Sequence, residues 1–144
     1  MTEWDAEHHF PAGMRYMFFV NWSEKVPVHI LERAECVNFH CTALPYGRGG
    51  HPIENLLLAG KTDTVITAHQ MTTAIDAGPI YAVSPSVSLS GTKREIQARF
   101  INPVSALIRQ IIDTEPTPYA QHGEPTYFQR LQPETYEQFW SGRG

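Results

Sequence analysis

Three side chains suited to moving an acyl group lie within a short stretch of the chain. Asn38 and His40 sit in VNFHCTALPYGRGG, and Asp76 follows in AIDAGPI. A carboxamide can donate to an oxyanion, an imidazole can carry a proton, and a carboxylate can orient the imidazole. That set suits transfer of an acyl group to an amine. The two-residue spacing of Asn38 and His40 puts both side chains on one face of a strand. They fall at its C-terminal end, where open parallel sheets place their ligands. Without Asp76 the pair reads equally well as a polar strand end capping the next loop. Asp76 alone reads as a solvated loop acid. The expectation is therefore convergence: all three on one cleft, with Asp76 beside His40.

The loop after His40 adds a second feature. Its glycines, Gly47, Gly49 and Gly50, permit positive φ and close backbone approach to a ligand. Arg48 between them could hold a carboxylate or phosphate through a bidentate contact. The plain alternative is a tight connection with a solvent-facing arginine. The seven histidines are His8, His9, His29, His40, His51, His69 and His122. None has the spacing of HExxH or pairs with CxxC, so no metal site is expected.

These residues need a frame. The apolar run 15–20 reads as a buried strand. Pro27 fits the first turn of a short helix over 27–34, and 35–39 reads as the next strand. Strand, helix, strand implies a parallel pair. A Pro- and Gly-rich loop over 42–50 leads to a helix over 52–59, with Gly60 at its C-terminal cap. Residues 64–71 read as a third strand with Val65, Thr67, His69 and Met71 on one face. Residues 80–89 continue extended, interrupted at Pro85. Thr92 and Glu95 have capping-box spacing. They open a long helix with Ile96, Phe100, Val104, Leu107, Ile108 and Ile111 in helical rhythm and a kink at Asn102-Pro103. The tail from Glu115 is Pro-rich and partly extended, anchored by Tyr127 and Phe128.

At 144 residues the chain reads as one domain, with an N-terminal extension over 1–14 and the tail over 115–144. A hydrophobic share of 42% and a charged share of 18% fit a globular protein with a core. No apolar run approaches the roughly 20 residues of a membrane span. The N-terminal stretch is acidic and lacks an apolar signal core, so no export signal is expected, and two cysteines read as reduced point to a cytoplasmic protein. A formal charge of -4 argues against general affinity for nucleic acid. Cys36 and Cys41 would stand about 16 Å apart on extended chain, at roughly 3.3 Å per residue. A disulfide needs under about 7 Å, so both read as free thiols. No GxGxxG or Walker-type loop is present.

Asn38-Phe39-His40, Thr42-Ala43-Leu44-Pro45, Arg48-Gly49-Gly50 and Asp76-Ala77-Gly78 together resemble the formyltransferase family that uses 10-formyltetrahydrofolate. The likeness spans about residues 15–113. FHCTALPYGRGGHPIENLL and QHGEPTYFQR resemble a subgroup of small formyltransferase-like proteins. The resemblance implies an α/β, Rossmann-like core with a mostly parallel sheet, shortened before Arg15 relative to the family. It implies 10-formyltetrahydrofolate as co-substrate and Asn38, His40 and Asp76 as the catalytic trio. It implies a folate pocket of Trp22, Ser23 and Val26 with His69, Ile75 and Gly78. The acceptor side would be Thr42, Leu44, Pro45, Arg48, Gly49 and Gly50.

The reading that follows is formyl transfer to an amine of a small molecule, such as an amino sugar or sugar nucleotide. Methionyl-tRNA is not the expected acceptor, because the family's tRNA-binding domain is not in this sequence. Two rival readings remain. One is a 10-formyltetrahydrofolate hydrolase; the other is a non-catalytic folate-binding or scaffold module. A domain that begins mid-sheet leaves a strand edge or apolar face to cover, so a homodimer is expected.

Overall fold

Strand β1 (Tyr16–Phe19) and strand β2 (Glu35–His40) pair in parallel, with Tyr16 opposite Glu35 and Phe19 opposite Asn38. This is a computed structural model, and it describes residues 11–143. Residues 1–10 of the expected N-terminal extension, including His8 and His9, lie outside the described residues.

The helix between the first two strands, α1 (Val28–Leu31), is one turn long rather than running over 27–34. Pro27 caps it in an extended conformation. The chain must leave it early because Glu35 already donates its N–H to the Arg15 carbonyl, at 2.8 Å, to start the parallel pair. A two-residue strand β3 (Arg48–Gly49) follows, then α2 (Pro52–Leu58), closed at Gly60 with φ +80. Gly60 tolerates that backbone because it has no Cβ.

The expected strand over 64–71 is split. Asp63–Thr64 forms β4 and Thr67–Gln70 forms β5. Strand β6 (Ile80–Val83) and the short β7 (Val87–Ser88) lie on either side of the break at Pro85. β4 pairs antiparallel with β7.

The main sheet has the order β1-β2-β5-β6. Among the described residues only β1 and β2 are parallel in it; β5 runs antiparallel to both β2 and β6. The sheet is mixed, which corrects the mostly parallel arrangement. The reason lies in the connections. β5 enters beside the end of β2, with His40 opposite Thr67. The link over 71–79 from β5 to β6 is too short for the crossover that a parallel pair needs.

One face of this sheet carries Val37, Phe39 and Ala68 against Leu107 and Ile111. Those two belong to α3 (Lys93–Thr114), which opens with the complete Thr92–Glu95 capping box. Pro103 lies inside α3 without ending it. The other face starts apolar, with Met17, Phe19, Val26, Ile30 and Cys36 in one cluster. Along β2 it then turns polar at Asn38 and His40.

The tail is more structured than its composition suggests. β8 (Tyr127–Phe128) pairs in parallel with β3. α4 (Pro133–Ser141) then packs back, and its Trp140 Nε1 donates to Glu54 Oε2 at 2.8 Å. No helix among the described residues is long and apolar enough to cross a membrane.

Candidate active site

The polar end of the sheet is built by register. Asn38 stands opposite His69, and His40 stands opposite Thr67, so all four side chains leave one face. Phe19 is the β1 partner of Asn38, so the segment leaving β1 departs beside the same spot.

Asn38 uses its side-chain carbonyl locally: Oδ1 accepts the Phe39 N–H at 2.9 Å. That bond uses the carbonyl end of the carboxamide and leaves its NH2 as the donating end. His40 is 7% exposed. Its Nε2 lies 2.7 Å from the Gly47 carbonyl oxygen, which can only accept, so Nε2 carries the proton. Its Nδ1 faces Asp76 Oδ1 at 3.7 Å, inside ion-pair range and longer than a hydrogen bond.

Asp76 adopts φ +52, the left-handed region. That conformation turns its carboxylate back toward the sheet. Oδ2 accepts the Gly49 N–H at 2.8 Å. Oδ1 faces two imidazoles, His40 Nδ1 at 3.7 Å and His69 Nε2 at 3.6 Å. His69 is buried, and its Nδ1 lies 3.1 Å from the Gln70 carbonyl. Burial pushes the His69 pKa down; the bond to the Gln70 carbonyl and the nearby Asp76 carboxylate oppose that shift but are outweighed. Its Nε2 has no hydrogen-bond partner among the described residues. A carboxylate oxygen therefore looks at two ring nitrogens, an arrangement that can hold or pass a proton at Asp76 Oδ1.

Other expected site residues fall into two groups. Trp22 packs edge-on to Phe19 at 5.3 Å, Ser23 is exposed, and Ile75 is 74% exposed beside Asp76. Of these, Ser23 and Ile75 face solvent, whereas Trp22 is half-buried. Val26 belongs to the apolar cluster under β1 and β2. Gly78 packs so tightly on the Gln70 carbonyl that a Cβ would collide with it.

The expected acceptor side is mostly occupied by the chain itself. Thr42, Leu44 and Pro45 are buried, with the Leu44-Pro45 bond cis. The Thr42 carbonyl accepts from Thr67 Oγ1 at 2.6 Å. A Cβ on Gly49 would collide with the Phe128 carbonyl oxygen, and one on Gly50 would press on Arg130. These glycines make room for the tail rather than for a ligand. Arg48 is likewise engaged: Nη2 donates to Gln121 Oε1 at 2.8 Å and Nη1 to Tyr127 Oη at 3.3 Å.

Residue-by-residue reading of the sequence overlooked Gln121 and Thr126. Gln121 Nε2 donates to the Asp76 carbonyl, and Thr126 Oγ1 accepts the Gly47 N–H. The string QHGEPTYFQR holds both and was the available signal. Two surface grooves, one at Ser105, Ile108 and Ile112 on α3 and one at His51, Arg130 and Tyr136, contain none of the clustered residues. Among the described residues no group of three or more His, Cys, Asp or Glu side chains is arranged to hold a metal ion.

Fold and site together define an α/β domain with a carboxamide, two imidazoles and a carboxylate at the polar end of one sheet face. The formyl transferase family model matches residues 11–112, and the chain belongs to that family. A methionyl-tRNA formyltransferase of Sorangium cellulosum is 30% identical over 120 residues, covering 78% of this chain and 39% of that protein. The structure of methionyl-tRNA formyltransferase from Clostridium thermocellum superposes with a TM-score of 0.80 at 38% identity, covering 84% of this chain and 53% of that one. The formyltransferase PseJ from Anoxybacillus kamchatkensis, solved with UDP-4,6-dideoxy-4-formamido-L-AltNAc and tetrahydrofolate, gives 0.73 at 17% identity, covering 96% of this chain and 75% of that one. That last likeness is one of fold. The chain thus spans about half or less of the methionyl-tRNA formyltransferases it matches.

Proposed function

We propose that this chain transfers a formyl group from 10-formyltetrahydrofolate to an amine of a small-molecule acceptor, an amino sugar or sugar nucleotide. The observation that carries the reading is the convergence of Asn38, His40, His69 and Asp76 at one end of the sheet.

The acceptor amine attacks the formyl carbon with its lone pair, and the carbonyl π electrons move to oxygen. The Asn38 NH2 donates to that oxyanion, worth on the order of 3 kcal/mol in comparable sites. The Asp76–His40 pair takes the proton the amine loses. It returns that proton to the folate nitrogen as the carbon–nitrogen bond breaks. The products are a formamide and tetrahydrofolate. Trp22, half-buried at the exit of β1, and the exposed Ile75 beside Asp76 suit contact with a flat ring.

A formal charge of -4 supports a small acceptor over a polyanion. The similarity to methionyl-tRNA formyltransferases favours aminoacyl-tRNA as the second reading. The proposed assembly is a homodimer. Among the described residues β1 lies at a sheet edge, and Ile101 and Ile112 on α3 are 64% and 54% exposed. A monomeric mass by light scattering at micromolar concentration would count against it.

The test of function is tetrahydrofolate release from 10-formyltetrahydrofolate in the presence of amino sugars, sugar nucleotides, amino acids or aminoacyl-tRNA. Turnover dependent on a small amine supports the reading. Turnover with aminoacyl-tRNA alone moves it to the second. Formate release without any amine would make the chain a hydrolase, and folate binding without turnover would make it a non-catalytic module.

A further inference from the structure

Gln121 closes a ring of hydrogen bonds around Asp76. Its Nε2 donates to the backbone carbonyls of Asp76 and Gly78, at 2.8 and 2.9 Å. Its Oε1 accepts from Arg48 Nε and Nη2, at 3.2 and 2.8 Å. An amide offers two N–H donors and two lone pairs, so every bonding position of this side chain is used. One end grips the turn on both sides of Ala77. The other end holds Arg48, whose neighbour Gly49 donates its N–H to Asp76 Oδ2 at 2.8 Å. The ring runs from the Asp76 carboxylate through Gly49 and Arg48 to Gln121 and back to the Asp76 carbonyl.

The turn needs such a clip. Asp76 sits at φ +52, a region that non-glycine residues occupy at some strain. The residues before it, Thr72, Thr73, Ala74 and Ile75, are exposed. Within the turn the Ala77 N–H reaches the Ala74 carbonyl at a long 3.4 Å. The strong contacts come from β3 and the tail. Gln121 itself is fixed in place by the neighbouring pairing of Ile80 with Tyr119 and of β3 with β8.

We infer that Gln121 is a positioning residue: its amide sets the Asp76 carboxylate against the two imidazoles. The C-terminal segment is then part of the active centre. The kinetic arm rests on the formyl-transfer reading, and a second arm does not. Gln121→Leu removes the clip. Gln121→Glu keeps the acceptor for Arg48 but turns oxygen toward the two carbonyls.

In both variants kcat falls about 10- to 100-fold, the effect of an ångström-scale misplacement. KM for the folate substrate stays within about 2-fold. Amide hydrogen exchange at Gly49, followed by NMR, accelerates in both variants, because the Asp76 carboxylate no longer holds that N–H. Wild-type kcat in Gln121→Glu would show that the Arg48 contact alone matters and would overturn the inference. So would unchanged Gly49 exchange in either variant. If the wild type turns over no acceptor, the functional reading fails, while Gly49 exchange still decides the role of Gln121.

Discussion

Asn38 on β2 stands directly opposite His69 on β5, and the carboxylate of Asp76 closes over the same sheet face. The cross-strand register therefore does what sequence distance cannot. It brings an amide donor and two imidazoles from two strands to one place, and the link over 71–79 adds the acid. Ile75, next to Asp76 in the chain, is exposed.

The attachment of the tail depends on Gly49. Its φ is +106, and a Cβ there would strike the Phe128 carbonyl. Gly49→Ala is expected to destabilise the protein by about 1–3 kcal/mol through strain and displaced packing. Limited proteolysis should then cut the chain between residues 115 and 131 faster than in wild type. Equal melting temperatures and equal proteolysis would contradict this account of the loop.

His69 makes stability depend on pH. Its pKa in the folded protein lies below the ordinary 6.5, because burial disfavours the imidazolium. The unfolded chain therefore binds the proton more readily. Stability from this group is whole above about pH 6.5 and is lost as pH falls from there through the lower folded value. Melting temperatures between pH 8 and pH 5 should decline toward acid, and His69→Gln should flatten the decline. Parallel curves for the two proteins would remove His69 as the cause.

Both thiols should be inert in the folded state. Burial pushes Cys36 up to about 11 and Cys41 up to about 12, so little thiolate exists at pH 8. Iodoacetamide should label neither within the time that fully labels the denatured chain. Rapid labelling of the native protein at either position would show that the segment opens.

Truncation of Ile111 should cost about 2–5 kcal/mol, since it is fully buried between α3 and the sheet. Urea unfolding of Ile111→Ala measures it. A midpoint equal to wild type would mean that α3 does not cover this face in solution.

Local signals in the sequence were sound where local physics decides. The Thr92–Glu95 capping box forms, and β1 and β2 pair in parallel. Asn38 and His40 share a face because strand geometry leaves them no choice. Strand direction was not legible. Whether β5 runs with or against β2 is set by how the connection over 41–66, with β3, α2 and β4 in it, returns, which no periodicity records. Pro-rich composition also masked α4, although Pro133 at its first position was a start signal. Arg48 shows the same limit in the site. Flanked by glycines it reads as a ligand clamp, yet its partner, Gln121, lies far along the chain. The glycines' close contacts go to the tail, which became visible only once β8 lay against β3.

Asn38, His40 and Asp76 are the residues proposed to carry formyl transfer. The direct measurement is turnover of 10-formyltetrahydrofolate with an amine acceptor, alongside folate affinity, for wild type, Asn38→Ala and His40→Ala. His40→Ala is expected to lose about 100- to 10,000-fold in rate, the scale of a general acid–base group. Asn38→Ala is expected to lose about 100- to 1,000-fold through the oxyanion contact. Folate affinity should stay near wild type in both. Full activity in His40→Ala would contradict the mechanism.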